Sequence, residues 1–196
     1  MKACGKVTVR LLILAALSLL AACSDYDSAS RAYQVGDYPQ ALLQFEKLAK
    51  AGDVHAQFDL AQMYNQGIGG DANPELGWLW LLQSAQGGYA AAMLDLGMRY
   101  ESGVGQKQNF VMALSWYRKA AAAGSAVACF NIATMYLLGS GVPKDMVRSY
   151  AWYQFADKLG SAAAAARLEQ IEKLLIPGDL TRAKKIAAEV IANPES

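Results

Sequence analysis

Apolar and small residues recur along the chain in blocks of 36, and each block carries two stretches at helical spacing. Between Gly88 and Gly124 the first stretch runs Ala92, Leu96, Gly97, Tyr100, and the second Ala113, Trp116, Tyr117, Ala120, Ala121. Steps of three and four residues place side chains on one side of an α-helix, so each block predicts a pair of amphipathic helices. Glycine stands at 52, 88, 124 and 160, again at 67, 103 and 139, and again at 69, 105 and 141. Tyr64, Tyr100, Tyr136 and Trp80, Trp116, Trp152 keep the same interval. Several columns in step at one period imply an architecture in which each unit buries its apolar side on the next.

The residues between the faces supply the punctuation. Gly103 stands where the first helix of its block needs a left-handed residue to stop, and Val104 and Gly105 complete a hinge. Asn109 follows as the N-cap of the second helix, with Asp37, Asn73 and Asp145 as its equivalents; each side chain can accept from orphan N–H groups. Pro74 comes directly after Asn73, where a missing N–H costs nothing.

The ends differ from the middle. Residues 30–51 read as a shorter capping unit, with a turn at Gly36-Asp37-Tyr38-Pro39 and a second helix lined by Ala41, Leu42, Phe45 and Leu48. Three full repeats follow over 52–87, 88–123 and 124–159, and capping helices close the chain over 160–192. In that last part Ser161–Leu175 repeats a first helix, Pro177-Gly178 breaks it, and Thr181 is expected to cap a final helix over Arg182–Ala192.

The pattern Ala92-x3-Leu96-Gly97-x2-Tyr100-x2-Gly103-Val104-Gly105, then Ala113-x2-Trp116-Tyr117-x2-Ala120-Ala121-x2-Gly124, resembles the Sel1-like repeats, relatives of the tetratricopeptide repeats. The blocks on either side keep it, with Ala61 and Gly77 in one and Ala133 and Ser149 in the other. The resemblance implies an all-α fold, a right-handed α/α superhelical solenoid of helix pairs, and a protein-binding scaffold. In tetratricopeptide-like solenoids the first helix of each pair lines the concave surface. Carried onto this chain, that places His55, Phe58, Gln62 and Asn65 there from one block, Leu94, Met98 and Glu101 from the next, and Phe130, Thr134 and Leu137 from the third. Phe58, Leu94 and Phe130 then make an apolar column, either an open partner groove or ordinary core.

Lys2, Lys6 and Arg10 precede an apolar run of ten residues, Leu11–Leu20. Ten residues are too few to span a bilayer but suit a signal-peptide core. Leu20-Ala21-Ala22-Cys23 resembles the bacterial lipobox, which implies removal of residues 1–22 and lipidation of Cys23. Ser24 after the cysteine fits export to the inner leaflet of an outer membrane, and residues 23–29 read as a lipidated tether. The remainder, 30–196, reads as one solenoid. Without residues 1–22, Lys and Arg fall from 18 to 15 against 17 acids. No basic run appears, which leaves nucleic-acid binding without electrostatic support. Cys129 is then the remaining thiol, so no intramolecular disulfide is expected; it reads as a small buried hydrophobe.

Catalytic chemistry finds little to stand on. One histidine, His55, is too few for a multi-histidine or Cys/His metal site. No phosphate loop, nucleophile elbow or dinucleotide fingerprint occurs, and Ser115 to Lys119 misses Ser-x-x-Lys spacing. The hinge glycines follow a helix and recur, so their role is structural. No cofactor and no metal are implied. The expected function is a lipid-anchored periplasmic scaffold that recognises another protein, an envelope component or a secreted effector. An immunity protein neutralising a secreted lipase is one alternative, and cell-wall or β-lactam binding or hydrolysis another. The tryptophan and tyrosine columns read as inter-helix core, with Trp78 outside them.

Overall fold

The computed structural model describes residues 25–194, and among these every regular element is an α-helix. Helix α1 covers residues 25–34 and α2 Tyr38–Lys50. The first helices of the three repeats are α3 (Val54–Gln66), α5 (Ala90–Ser102) and α7 (Ala126–Leu138). Their partners are α4 (Pro74–Gln86), α6 (Phe110–Ala122) and α8 (Met146–Lys158). Helices α9 (Ala162–Glu172) and α10 (Pro177–Ala192) end the chain. The 36-residue step holds down to the first residue: α3, α5, α7 and α9 start at 54, 90, 126 and 162, and α2, α4, α6 and α8 at 38, 74, 110 and 146.

Each boundary has a local cause. Gly67, Gly103 and Gly139 stop α3, α5 and α7 in the left-handed conformation, with φ of 68°, 79° and 81°, which a side chain would strain. The chain then returns through one repeated bond. The backbone N–H groups of Asn73, Asn109 and Asp145 donate to the carbonyls of Tyr64, Tyr100 and Tyr136 at 2.8, 2.8 and 2.9 Å. The same residues cap the next helix through their side chains: Asn73 accepts from Leu76 N–H, Asn109 from Met112, and Asp145 from Val147 and Arg148. Asp37 accepts from Gln40 at 3.4 Å, so all four expected caps are in place.

Contacts group the chain into two units, one ending at Trp80 and one beginning at Leu81. In the first unit the core is built from Ala29, Ala41, Phe45, Leu48, Leu60 and Met63, with Tyr26, Leu42, Tyr64, Ile68 and Trp80 around it. In the second, alanines at helix crossings (Ala113, Ala120, Ala128, Ala133, Ala164, Ala183) let helices approach closely. Tyr117, Ile132, Tyr136, Trp152 and Tyr153 fill the space between. The small residues set the spacing and the large ones the fit, which is how interiors reach crystal-like density.

Two expectations at the ends are overturned. The polar tether to residue 29 is helical from residue 25, and Ala29 is fully buried, because Tyr26 and Ala29 sit on one helix face and find the α2 core. The expected break between two helices is present, α9 ending at Glu172, but Pro177 itself opens α10 and Thr181 lies inside that helix, its hydroxyl donating to the Pro177 carbonyl. Proline fits the first turn of a helix because it has no N–H to leave unpaired. The leader, the lipobox and Cys23 lie outside the described residues. No described helix is long and apolar enough to cross a membrane.

Candidate functional site

The expected binding residues divide by how far packing has claimed them. His55 is exposed at the start of α3, where its backbone N–H donates to the capping Asp53 carboxylate at 2.9 Å. Met98 of α5 is 43% exposed, which makes it an open apolar position of the second unit. Leu94 and Leu137 are half-buried against that unit's core. Phe130 stacks edge-on against Tyr153 with centroids 5.1 Å apart. Thr134 donates to the Phe130 carbonyl at 3.0 Å and shares a hydrogen bond with the Tyr153 hydroxyl.

Two of the polar positions are structural instead. Glu101 accepts the Tyr117 hydroxyl at 2.6 Å, while its carbonyl takes the Gln108 amide at 2.8 Å. Asn65 lies where α3 crosses α4: its Oδ1 would stand 2.5 Å from a Cβ placed on Gly77. Glycine replaces the repeat's alanine at position 77 because Asn65 fills that space. Of the two readings left open for Phe58, Leu94 and Phe130, neither describes all three residues. Leu94 and Phe130 lean on core, and Phe58 belongs to a cavity of its own.

That cavity, about 450 Å³, lies in the first unit between α1, α2 and α3. Tyr26 and Tyr33 come from α1, Phe45 from α2, and Phe58, Asp59 and Gln62 from α3. Tyr26 meets Phe45 edge-on at 5.8 Å and donates its hydroxyl to Asp59 Oδ2 at 2.5 Å. Burial pushes the Asp59 carboxyl above its ordinary value, and the Tyr26 bond offsets only part of that rise. Sequence reading found Phe58 and Gln62 but missed Tyr26, Tyr33 and Asp59. The i, i+7 spacing of Tyr26 and Tyr33 was the available signal, hidden by assigning residue 26 to a tether.

Elsewhere, tyrosine–glutamate bonds join helices. Tyr64 donates to Glu46 at 2.6 Å and Tyr150 to Glu172 at 2.7 Å. Burial first, then the carboxylate, drives the Tyr64 phenol up to about 12, and Tyr117 and Tyr150 move the same way. Glu46 moves down, held by the Tyr64 hydroxyl and by Lys50. Burial also pushes the Cys129 thiol up to about 12, far from the thiolate range that reactive cysteines need. Among the described residues no three His, Cys, Asp or Glu side chains gather as metal ligands would.

Three consecutive segments, 54–89, 90–125 and 126–161, match the Sel1 repeat, together more than half of the chain. The protein belongs to the Sel1-repeat family. A Sel1 repeat protein from Oxalobacter formigenes is 36% identical over 66% of this chain and 97% of its own, with a TM-score of 0.63. A protective antigen of uropathogenic Escherichia coli with this fold gives a TM-score of 0.72 at 27% identity. That alignment covers 86% of this chain but only 38% of the antigen. Helicobacter pylori cysteine-rich protein B shares the fold at 20% identity and a TM-score of 0.52, over 73% of this chain and 96% of its own. No curated protein sequence matches the chain. Sel1 repeats build protein-interaction scaffolds, and the fold is typically non-catalytic.

Proposed function

We propose that this Sel1-repeat protein is a lipid-anchored, periplasm-facing adaptor that holds a partner protein through the first helices of its repeats. The observation that carries the reading is the state of those helices. They keep apolar and aromatic groups only half covered: Phe58 at the first unit's cavity, and Met98 and Val127, 43% and 53% exposed, on α5 and α7 of the second. Exposed apolar groups on a rigid scaffold are the usual anchors of a protein interface. The anchor is read from the lipobox residues Leu20-Ala21-Ala22-Cys23.

Partner capture from envelope extract tests the surface. Met98→Asp is the better probe than a change at Phe130, whose ring supports Tyr153 and whose loss would unfold rather than unbind. Capture of one partner by the wild type and at least about tenfold less by Met98→Asp, with the helical signal unchanged, is expected. Equal recovery by both sinks the assignment. Cys23→Ala tests the anchor: the protein should move from the membrane fraction to the soluble periplasmic fraction.

A further inference from the structure

We propose that the first unit's cavity receives a basic side chain, arginine or lysine, from a partner protein, with Asp59 as its counter-charge and aromatic rings as its walls. The proposal rests on the protein-binding reading for the source of the cation; the chemistry of the cavity stands apart from it.

Asp59 is the decisive group. It is half-buried on α3, its Oδ2 is engaged by the neutral Tyr26 hydroxyl, and among the described residues no cation pairs with it. His55, one turn earlier, and Asp53 beyond it act on Asp59 with opposite sign, after burial and the Tyr26 bond. A carboxylate removed from water without a cation is costly, and an incoming ammonium or guanidinium relieves that cost. Tyr26, Tyr33, Phe45 and Phe58 also line the cavity, and aromatic rings are the side chains that attract such cations.

The alternatives fit less well. An apolar side chain entering here would strip water from Asp59 and return no charge. An anion would meet a like charge. The volume, about 450 Å³, exceeds one side chain and falls within the range of small-ligand sites. A basic residue can therefore enter together with part of its backbone.

The test uses the whole chain and small probes. N-acetyl-argininamide and N-acetyl-lysinamide are titrated against it, with neutral N-acetyl-norleucinamide as the control. NMR follows the ring resonances of Tyr33 and Phe58 and the Asp59 carboxyl carbon. Saturable shifts from the basic probes alone are expected, with Asp59→Asn weakening binding about tenfold or more at unchanged helical content. Should that variant fail to fold, Phe58→Leu, which keeps an apolar wall but removes a ring face, should weaken the basic probes and spare the fold. Equal shifts from the neutral probe, no saturation by any probe, or full-strength binding by the variants overturns the proposal. If the probes bind through Asp59 but no partner is ever captured, the adaptor reading fails and the pocket stands. Capture of a partner without probe binding gives the reverse.

Discussion

Asn65 and Gly77 form a pair whose logic is steric. Placing a Cβ on Gly77 brings it to 2.5 Å from Asn65 Oδ1 and 3.0 Å from the Ala61 carbonyl. Gly77→Ala should therefore cost about 1–3 kcal/mol by overpacking. In an Asn65→Ala background most of that cost should vanish, because alanine recovers up to about 1 kcal/mol of helix propensity over glycine. Urea denaturation of both singles and the double gives the coupling directly. The carboxylates respond to pH in opposite directions. The folded pKa of Glu46 lies below its unfolded value, so its contribution is complete above the unfolded pKa and is lost as pH falls through the folded one. The folded pKa of Asp59 is raised, so its contribution is complete below the unfolded pKa and fades as pH rises through the folded one. Glu46→Gln should lower the urea midpoint at neutral pH, Asp59→Asn should raise it, and both differences should shrink on acidification.

Among the elements, the starts of the first helices show what a cap contributes. Asp53, Ser125 and Ser161 accept from the backbone of α3, α7 and α9. Tyr89, at the equivalent position before α5, makes no such bond. Tyr89→Ser should stabilise the protein by about 0.5–1 kcal/mol, the worth of a hydroxyl cap, as a higher urea midpoint. The converse change, Asp145→Ala, removes an acceptor shared by two N–H groups and should cost about 1 kcal/mol or more. The caps of the second helices, Asp145 among them, were legible beforehand because capping is local: the accepting side chain and the donating N–H groups lie within three residues of each other. Thr181 misled for the same reason. Its interval matched the caps, yet Pro177 pre-set the first turn of α10 four residues earlier, and a started helix continues through a threonine.

For the molecule as a whole, the terminal helix is the element on which the second unit's stability depends. Ala183 and Ala187 are buried on α10, and Ile186, Val190 and Ile191 pack on the same core as Tyr153 and Trp152. Ending the chain before Pro177 uncovers that surface. In a repeat array, stability is a sum over neighbouring interfaces, so a truncated chain should melt earlier and less cooperatively by far-UV circular dichroism, and should self-associate. The wild type should show neither.

Periodicity, hinges and caps were readable in the amino-acid order alone, because each depends on residues within one turn or one helix pair of each other. So was the family, since its signature is that spacing. The tertiary structure alone decided which side chains stay available. Glu101 and Asn65 occupy the same helical position as an exposed ligand-contacting residue would. Instead Glu101 is bonded by Tyr117 and Asn65 is packed close over Gly77, 16 and 12 residues away, and both are half-buried. Asp59 was just as plain in the chain, but its isolation depends on α1 folding back across α3, a contact spanning 33 residues. Local chemistry is written in the order of residues; whether a charge ends up with a partner depends on what packing brings beside it.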